Sequence, residues 1–228
     1  MNRGLATAAV ALLLVPLVAG CSSLPGAKAS PSASTLPALP AGTHTTAVFQ
    51  PVTTYTVPAG WVNPTDDTDY FNLFPVNDVN QLNGVHLFHN PQPLSQDPAC
   101  PKAAEPGVGT TSTDLVLWIR SLKGLNVSQP TMVSVGGIAG TQIDVSIHTS
   151  WTQSCSFANG LPTVPLFYRP AAASGWWVAG DEKMRLYLID VPNQGTVVVD
   201  LDSFDGSGFG DLLTAGTTIV KSVGFASK

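Results

Sequence analysis

The chain has 228 residues, of which 44% are hydrophobic and only 11% charged, with 19 prolines, 21 glycines and 3 cysteines. Soluble domains average about a quarter charged residues, so this composition argues against a charge-rich disordered chain. Ten basic residues against fifteen acidic ones give a net charge of −5, and no basic run occurs, which argues against a nucleic-acid binder.

Taken from the N-terminus, Arg3 precedes an apolar run from Leu5 to Ala19. It is shorter than the roughly 20 residues a spanning helix needs and contains Pro16, so it reads as an export signal. The run ends in Leu17-Val18-Ala19-Gly20-Cys21, which resembles the bacterial lipobox. That resemblance implies a lipoprotein signal peptide over residues 1–20 and lipid attachment at Cys21. Two or three acyl chains, each contributing about 0.8 kcal/mol per buried methylene, hold firmly without a polybasic patch. Residues 21–46 are rich in Ser, Pro, Ala and Thr and too poor in apolar side chains to offset chain ordering, so they are expected to form the lipidated N-terminus and a flexible tether. Residues 47–228 are expected to form a single α+β domain, outside the cytoplasm and anchored to the cell membrane by lipid.

With Cys21 assigned to lipid, Cys100 and Cys155 form an even pair in an exported chain, for which a disulfide is the default. A loop of this length closed by a bridge stabilises by about 4 kcal/mol on the chain-entropy argument. Neither cysteine has a histidine at ligand spacing, and no metal or other cofactor is expected.

Within the domain, Val52–Val57 is rich in β-branched residues and ends at Pro58-Ala59-Gly60, a strand running into a turn. Tyr70–Phe74 and Gly84–Phe88 are further strands, and Pro91, Pro93, Pro98 and Pro101 exclude regular structure after them. Thr111 to Asp114 offer N-cap side chains to an amphipathic helix through Leu115, Trp118, Ile119 and Leu122, expected to stop near Gly124. Met132–Val135, Gly136-Gly137 and Thr141–Thr149 read as a hairpin whose second strand alternates Ile143, Val145 and Ile147 with Gln142, Asp144, Ser146 and His148. Strands at Trp176–Val178, Met184–Asp190 and Thr196–Asp202 follow. The chain closes with a helix through Phe209, Leu212, Leu213, Gly216, Ile219, Val220 and Val223, with Ser207 as its expected cap. Antiparallel meanders with two principal packing helices indicate the α+β class.

Several of these segments together are similar to a family of small exported lipoproteins, the LpqN type, with a PsbP-like fold. The resemblance rests on Pro58-Ala59-Gly60-Trp61, Phe71-Asn72-Leu73-Phe74-Pro75, Gly136-Gly137-Ile138-Ala139-Gly140 leading into Ile143-Asp144-Val145, Arg185–Val191, and Ser222-Val223-Gly224-Phe225. The loop around Cys100 and an insertion from Pro162 to Ser174 lie outside it. The resemblance implies an antiparallel sheet with helices packed on it and an envelope-facing binding or accessory module; it assigns no functional residues.

The residues themselves present no catalytic constellation. Gly206-Ser207-Gly208 is not a nucleophile elbow, and His86 and His89, three apart on a strand, face opposite ways. Asp200 and Asp202 share one strand face, and Asp66, Asp67 and Asp69 form a second acidic group; both are expected to be solvated loop ends. An EF-hand is excluded by Phe204 at a ligand position and by the missing glutamate. Trp61, Trp176 and Trp177 are the candidate contacts for a ligand or partner, since an exposed indole can stack on a ring or anchor a surface. The expected function is a non-enzymatic, lipid-anchored envelope module binding an envelope protein, a lipid or a small molecule. An envelope hydrolase acting on cell-wall or lipid substrates is the alternative.

Overall fold

A computed structural model describes residues 36–78 and 80–227. The assignments of residues 1–20 as signal peptide and of Cys21 as lipid site lie outside the described residues. In chain order the elements begin with β1 (Gly42–Thr45), β2 (Thr53–Val57), β3 (Trp61–Val62), β4 (Tyr70–Pro75), β5 (Asn83–His89) and β6 (Gln92–Pro93). Helix α1 (Ser112–Ser121), β7 (Leu125–Val127), β8 (Thr131–Val135) and β9 (Ile138–Ile147) follow. After a 3-10 turn at Ser156–Ala158 come β10 (Thr163–Arg169), β11 (Ser174–Ala179), β12 (Lys183–Val191), β13 (Gly195–Ser203), α2 (Phe209–Ser222) and β14 (Gly224–Phe225). This is an α+β fold dominated by antiparallel sheet.

The central sheet runs β3-β4-β5-β13-β12-β9, with β8 and β7 sharing the outer edge of β9. Its pleat sorts side chains between two apolar layers. Val197, Val199 and Leu201 of β13 join Val85 and Leu87 of β5 and Tyr187 and Ile189 of β12 on one face. There α2 lays down Leu212, Ile219 and Val220, beside a three-stranded sheet ordered β1-β2-β14. The alternate residues, Val198, Phe88, Leu186 and Leu188, meet α1 through Leu115, Trp118 and Ile119 on the other face. The same face is covered by a second three-stranded sheet, β11-β10-β6, through Val164, Leu166, Phe167 and Val178. Burying each such aliphatic side chain stabilises by roughly 1.5–3 kcal/mol, which explains why β13, covered on both sides, is buried from Thr196 to Ser203.

Local chemistry accounts for the element ends. The Thr111 hydroxyl accepts from the Asp114 N–H while the Asp114 carboxylate accepts from the Thr111 N–H, a capping box at the start of α1. Gly136 and Gly137, at φ +62° and +77°, supply the two left-handed positions that a two-residue hairpin between β8 and β9 requires. Cys100 and Cys155 are disulfide-bonded with Cα atoms 5.8 Å apart, tying the loop after β6 to the 3-10 turn.

Several expectations are corrected. The tether does not extend to residue 46: Leu39 donates its N–H to Trp61 O at 2.7 Å and β1 pairs with β2, so the domain begins before residue 47. This strand is held by its backbone ladder, and its polar side chains carry no hydrophobic signature. The segment from Pro162 to Ser174, in which no strand is expected, contains β10 in full, with Pro165 beside a register shift between Pro165 and Phe167. The prolines after β5 likewise admit a two-residue edge strand, β6. Helix α1 ends at Ser121 with Leu122 as its C-cap, near Gly124 as expected, but Gly124 is not the left-handed cap: its missing Cβ leaves room for Val164 and Trp151. Ser207 does not cap α2; its N–H and hydroxyl donate to Asp205, and Gly208 is the cap residue.

Candidate functional site

The two aspartates of β13 are not solvated. Asp200 is 0% and Asp202 7% exposed, because both point into the layer roofed by β10 and β11. The register shows why they meet other polar groups there. Asn72 of β4, His86 of β5 and Asp200 of β13 lie in one cross-strand row, and Asp202 lies opposite Gly84 in the next. Glu182, in the turn between β11 and β12, is 4% exposed and lines the same cavity wall as Asp202. One Glu182 oxygen, Oε2, also accepts the Ala179 N–H at 2.6 Å.

The neutral half of this row has a defined proton order. The Thr65 N–H donates to Asn72 Oδ1 at 2.9 Å, which turns the Asn72 amide nitrogen toward Tyr70 Oη at 3.2 Å. Tyr70 therefore has its hydroxyl proton to give to His86 Nδ1, 2.8 Å away. That leaves the His86 proton on Nε2. Burial lowers the imidazole to about 3, so the ring is neutral at physiological pH, and burial also raises the Tyr70 phenol above its ordinary value. The Arg169 guanidinium lies 4.2 Å over the Tyr70 ring and is paired with Asp69 at 2.7 Å and Asp67 at 3.5 Å.

The acidic half is less satisfied. Trp176 Nε1–H donates to Asp200 Oδ2 at 3.2 Å, and its ring packs 4.7 Å from His86. Asp200 Oδ1 and Asp202 Oδ1 are buried with no hydrogen-bond partner. Burial, and then repulsion from Asp202, pushes Asp200 and Glu182 well above the ordinary carboxylate range. Burial raises Asp202 to about 7, a rise reduced by the neighbouring Glu182. The ion pairs among the described residues join Arg169 to Asp67 and Asp69 and Arg185 to Asp144, so none reaches these three acids.

Beside this cluster opens a cavity of about 460 Å³. Glu182 and Asp202 line it together with Trp176, Trp177, Leu82, Phe157, Leu161 and Phe204. Phe157 packs against Trp177 with ring centroids 4.5 Å apart, and Trp177 Nε1 has no partner. Phe157 lies in the 3-10 turn that follows Cys155, so the disulfide fixes the base of this wall. A pocket of this size with apolar walls, a few convergent polar groups and perturbed carboxyls has the general form of a small-molecule site.

Of the three candidate tryptophans, the fold brings Trp176 and Trp177 together and places Trp61 elsewhere. Trp61 is 4% exposed and belongs to the layer under α2, where it borders a separate cleft with Pro75, Asp78 and Leu212. Trp176 and Trp177 face opposite ways, as adjacent residues on a strand do: Trp176 packs inward on His86 and Phe88, while Trp177 packs on Phe157 and over Gly175, and both border the cavity at the edge strand β11. His89 faces away from His86 and packs edge-on to Phe49, and His148 bonds to Ser150 at the surface. Asp66, expected in a solvated group, accepts the backbone N–H groups of Ala47, Val48 and Phe49. Among the described residues no group of three or more His, Cys, Asp or Glu side chains is placed to hold a metal ion. Sequence reading missed Glu182 and the role of His86; the shared face of Asp200 and Asp202 was the one signal that pointed here.

No protein-family model matches the chain, and no curated protein does. Among solved structures it is similar to cyanobacterial PsbP from Synechocystis sp. PCC 6803, at 8% identity and a TM-score of 0.42, over 82% of this chain and 95% of that one. It is similar to LpqN, involved in cell envelope biogenesis of Mycobacterium tuberculosis, at 13% identity and a TM-score of 0.34, over 83% and 87% of the two chains. A protein of Bacteroides thetaiotaomicron VPI-5482 is similar at 8% identity and a TM-score of 0.38 over 77% of this chain. The present chain spans 46% of that protein's length.

Proposed function

We propose that the chain is an extracytoplasmic binding module of the cell envelope, held to the membrane by lipid on Cys21, and that it receives a small molecule in the cavity beside Trp176 and Trp177. The disulfide supports an oxidising compartment, and the signal and lipobox-like residues support export and anchoring. The observation that carries the binding reading is the convergence, in one cavity of about 460 Å³, of two indoles with buried carboxyls that have no basic partner. Hydrolysis of a glycosidic bond is less well supported. It requires two carboxyls about 5–10 Å apart with the sugar between them, whereas Glu182 and Asp202 are close enough to shift each other's titration.

Native mass spectrometry of the full chain isolated from its envelope tests this reading. A co-purifying small mass on the wild-type chain that is lost in Trp177→Ala is the expected result. Bare protein in both, or the same mass on both, overturns it.

A further inference from the structure

We infer that the cavity selects organic cations: a primary ammonium seats against Asp202 and Glu182 while an aromatic or apolar body lies against Trp176, Trp177 and Phe157. This rests on the reading of the cavity as a ligand site and adds the chemical class of the ligand. Three independent features of the pocket lead to it. The first is an unmet acceptor: Asp202, 7% exposed and lining the cavity, has a buried Oδ1 with no hydrogen-bond partner. A buried acceptor left unmade carries a desolvation cost that a donor from a ligand removes.

The second is charge balance. Glu182 from the turn before β12, Asp202 and Asp200 from β13, His86 from β5 and Tyr70 from β4 are the titratable groups packed about the pair. None is a cation: His86 is neutral, and the neighbouring Arg169 is committed to Asp69 and Asp67. Without a ligand, the carboxyls relieve their repulsion by retaining protons, as like charges in contact do. An ammonium placed there supplies the missing opposite charge and lets a proton leave to solvent, so cation binding is coupled to proton release. A neutral ligand gains nothing from that exchange and an anion is repelled.

The third is the wall. Two indoles and a phenyl ring surround the space next to the carboxyls, and aromatic faces attract cations through their quadrupole, tryptophan most strongly. A sugar-selective pocket would share the stacking surface; here the charged groups of the lining are the two carboxyls, beside the neutral amides of Gln81 and Asn159. The Trp177 Nε1–H is buried and has no hydrogen-bond partner.

The test compares three probes of one shape, 2-phenylethylammonium, 2-phenylethanol and 3-phenylpropionate, titrated into the full chain at pH 8 and pH 5 and followed by calorimetry and saturation-transfer NMR. The amine is expected to bind at least about tenfold more tightly than the alcohol at pH 8, with the carboxylate weakest. Its affinity is expected to fall at pH 5, with proton release measurable from the buffer dependence of the binding heat. Asp202→Asn and Glu182→Gln should each remove most of the amine's advantage and leave the alcohol unchanged. Because the probe comparison on the wild-type chain needs no variant, a misfolded variant does not blur the outcome. Equal affinities for amine and alcohol overturn the cation inference while leaving the cavity as a ligand site. No binding by any probe at millimolar concentration overturns both.

Discussion

Replacing Asp202 with Asn tests the electrostatic description of the site without any ligand. In the folded chain burial raises this carboxyl from 3.8 to about 7. A shift of about three units corresponds to at most roughly 4 kcal/mol, at 1.36 kcal/mol per unit. The folded state holds the proton over a pH range in which the unfolded state has released it. The stabilisation is therefore complete below the unfolded value near 4 and is lost as pH rises through about 7. Asparagine keeps the shape and has no proton to lose, so the variant is spared that loss. His86 works in the opposite sense: lowered to about 3, it contributes stability above its ordinary value that disappears as pH falls from 6.5 through 3. It is the same in both proteins and cancels in their difference. Urea unfolding of the wild-type chain and Asp202→Asn, disulfide intact, at pH 4.5 and pH 8 gives the required comparison. The variant should gain about 2–4 kcal/mol on the wild type between the two pH values. A difference that does not change with pH, or that favours the wild type at pH 8, would show that Asp202 is ionised and well paired and would refute the reasoning.

Three further perturbations probe the framework around the site. A methyl group at Gly84 would meet Phe74 Cε1 at 2.6 Å and His86 Nε2 at 2.8 Å, so Gly84→Ala should destabilise by about 1–3 kcal/mol in denaturant; an unchanged midpoint contradicts the packing. Replacing both Cys100 and Cys155 by Ser, which opens a bridge of sequence separation 55, should cost about 4 kcal/mol and make the Phe157 segment more accessible to hydrogen exchange. Equal stability and equal exchange would show that the bridge constrains nothing. Cys21→Ser should move the chain from the membrane to the soluble fraction or stall its maturation, and unaltered partitioning contradicts the lipid anchor.

The sheet was legible where alternation was strict. The Ile143-Val145 face of β9 follows from period two alone, and the cysteine pair from parity and compartment, whereas in β13 the run Val197-Val198-Val199 is apolar on both faces and announces a strand without saying which layer each valine meets. The site was half legible. That Asp200 and Asp202 share a face is a property of one strand, but their burial is a property of what covers that strand. Trp176 reaches Asp200 from β11, in a different sheet, and no local pattern announces that crossing. Glu182 sits after Gly180 and Asp181 in what reads as an ordinary solvent turn, and only the return of β12 alongside β13 carries it to Asp202. β10 was hidden by Pro165, and β1 by polar side chains that bury little.

The cavity as ligand site is tested most directly by the indole N–H signals of the chain's five tryptophans. Titrating 2-phenylethylammonium into the uniformly 15N-labelled full chain at pH 8 should shift the Trp176 and Trp177 resonances, assigned by substitution, in one saturable process, and leave Trp61, Trp118 and Trp151 in place. Saturable shifts at Trp61 or Trp151 without Trp176 and Trp177, or no saturable shift with this amine, with 2-phenylethanol or with 3-phenylpropionate, would contradict it.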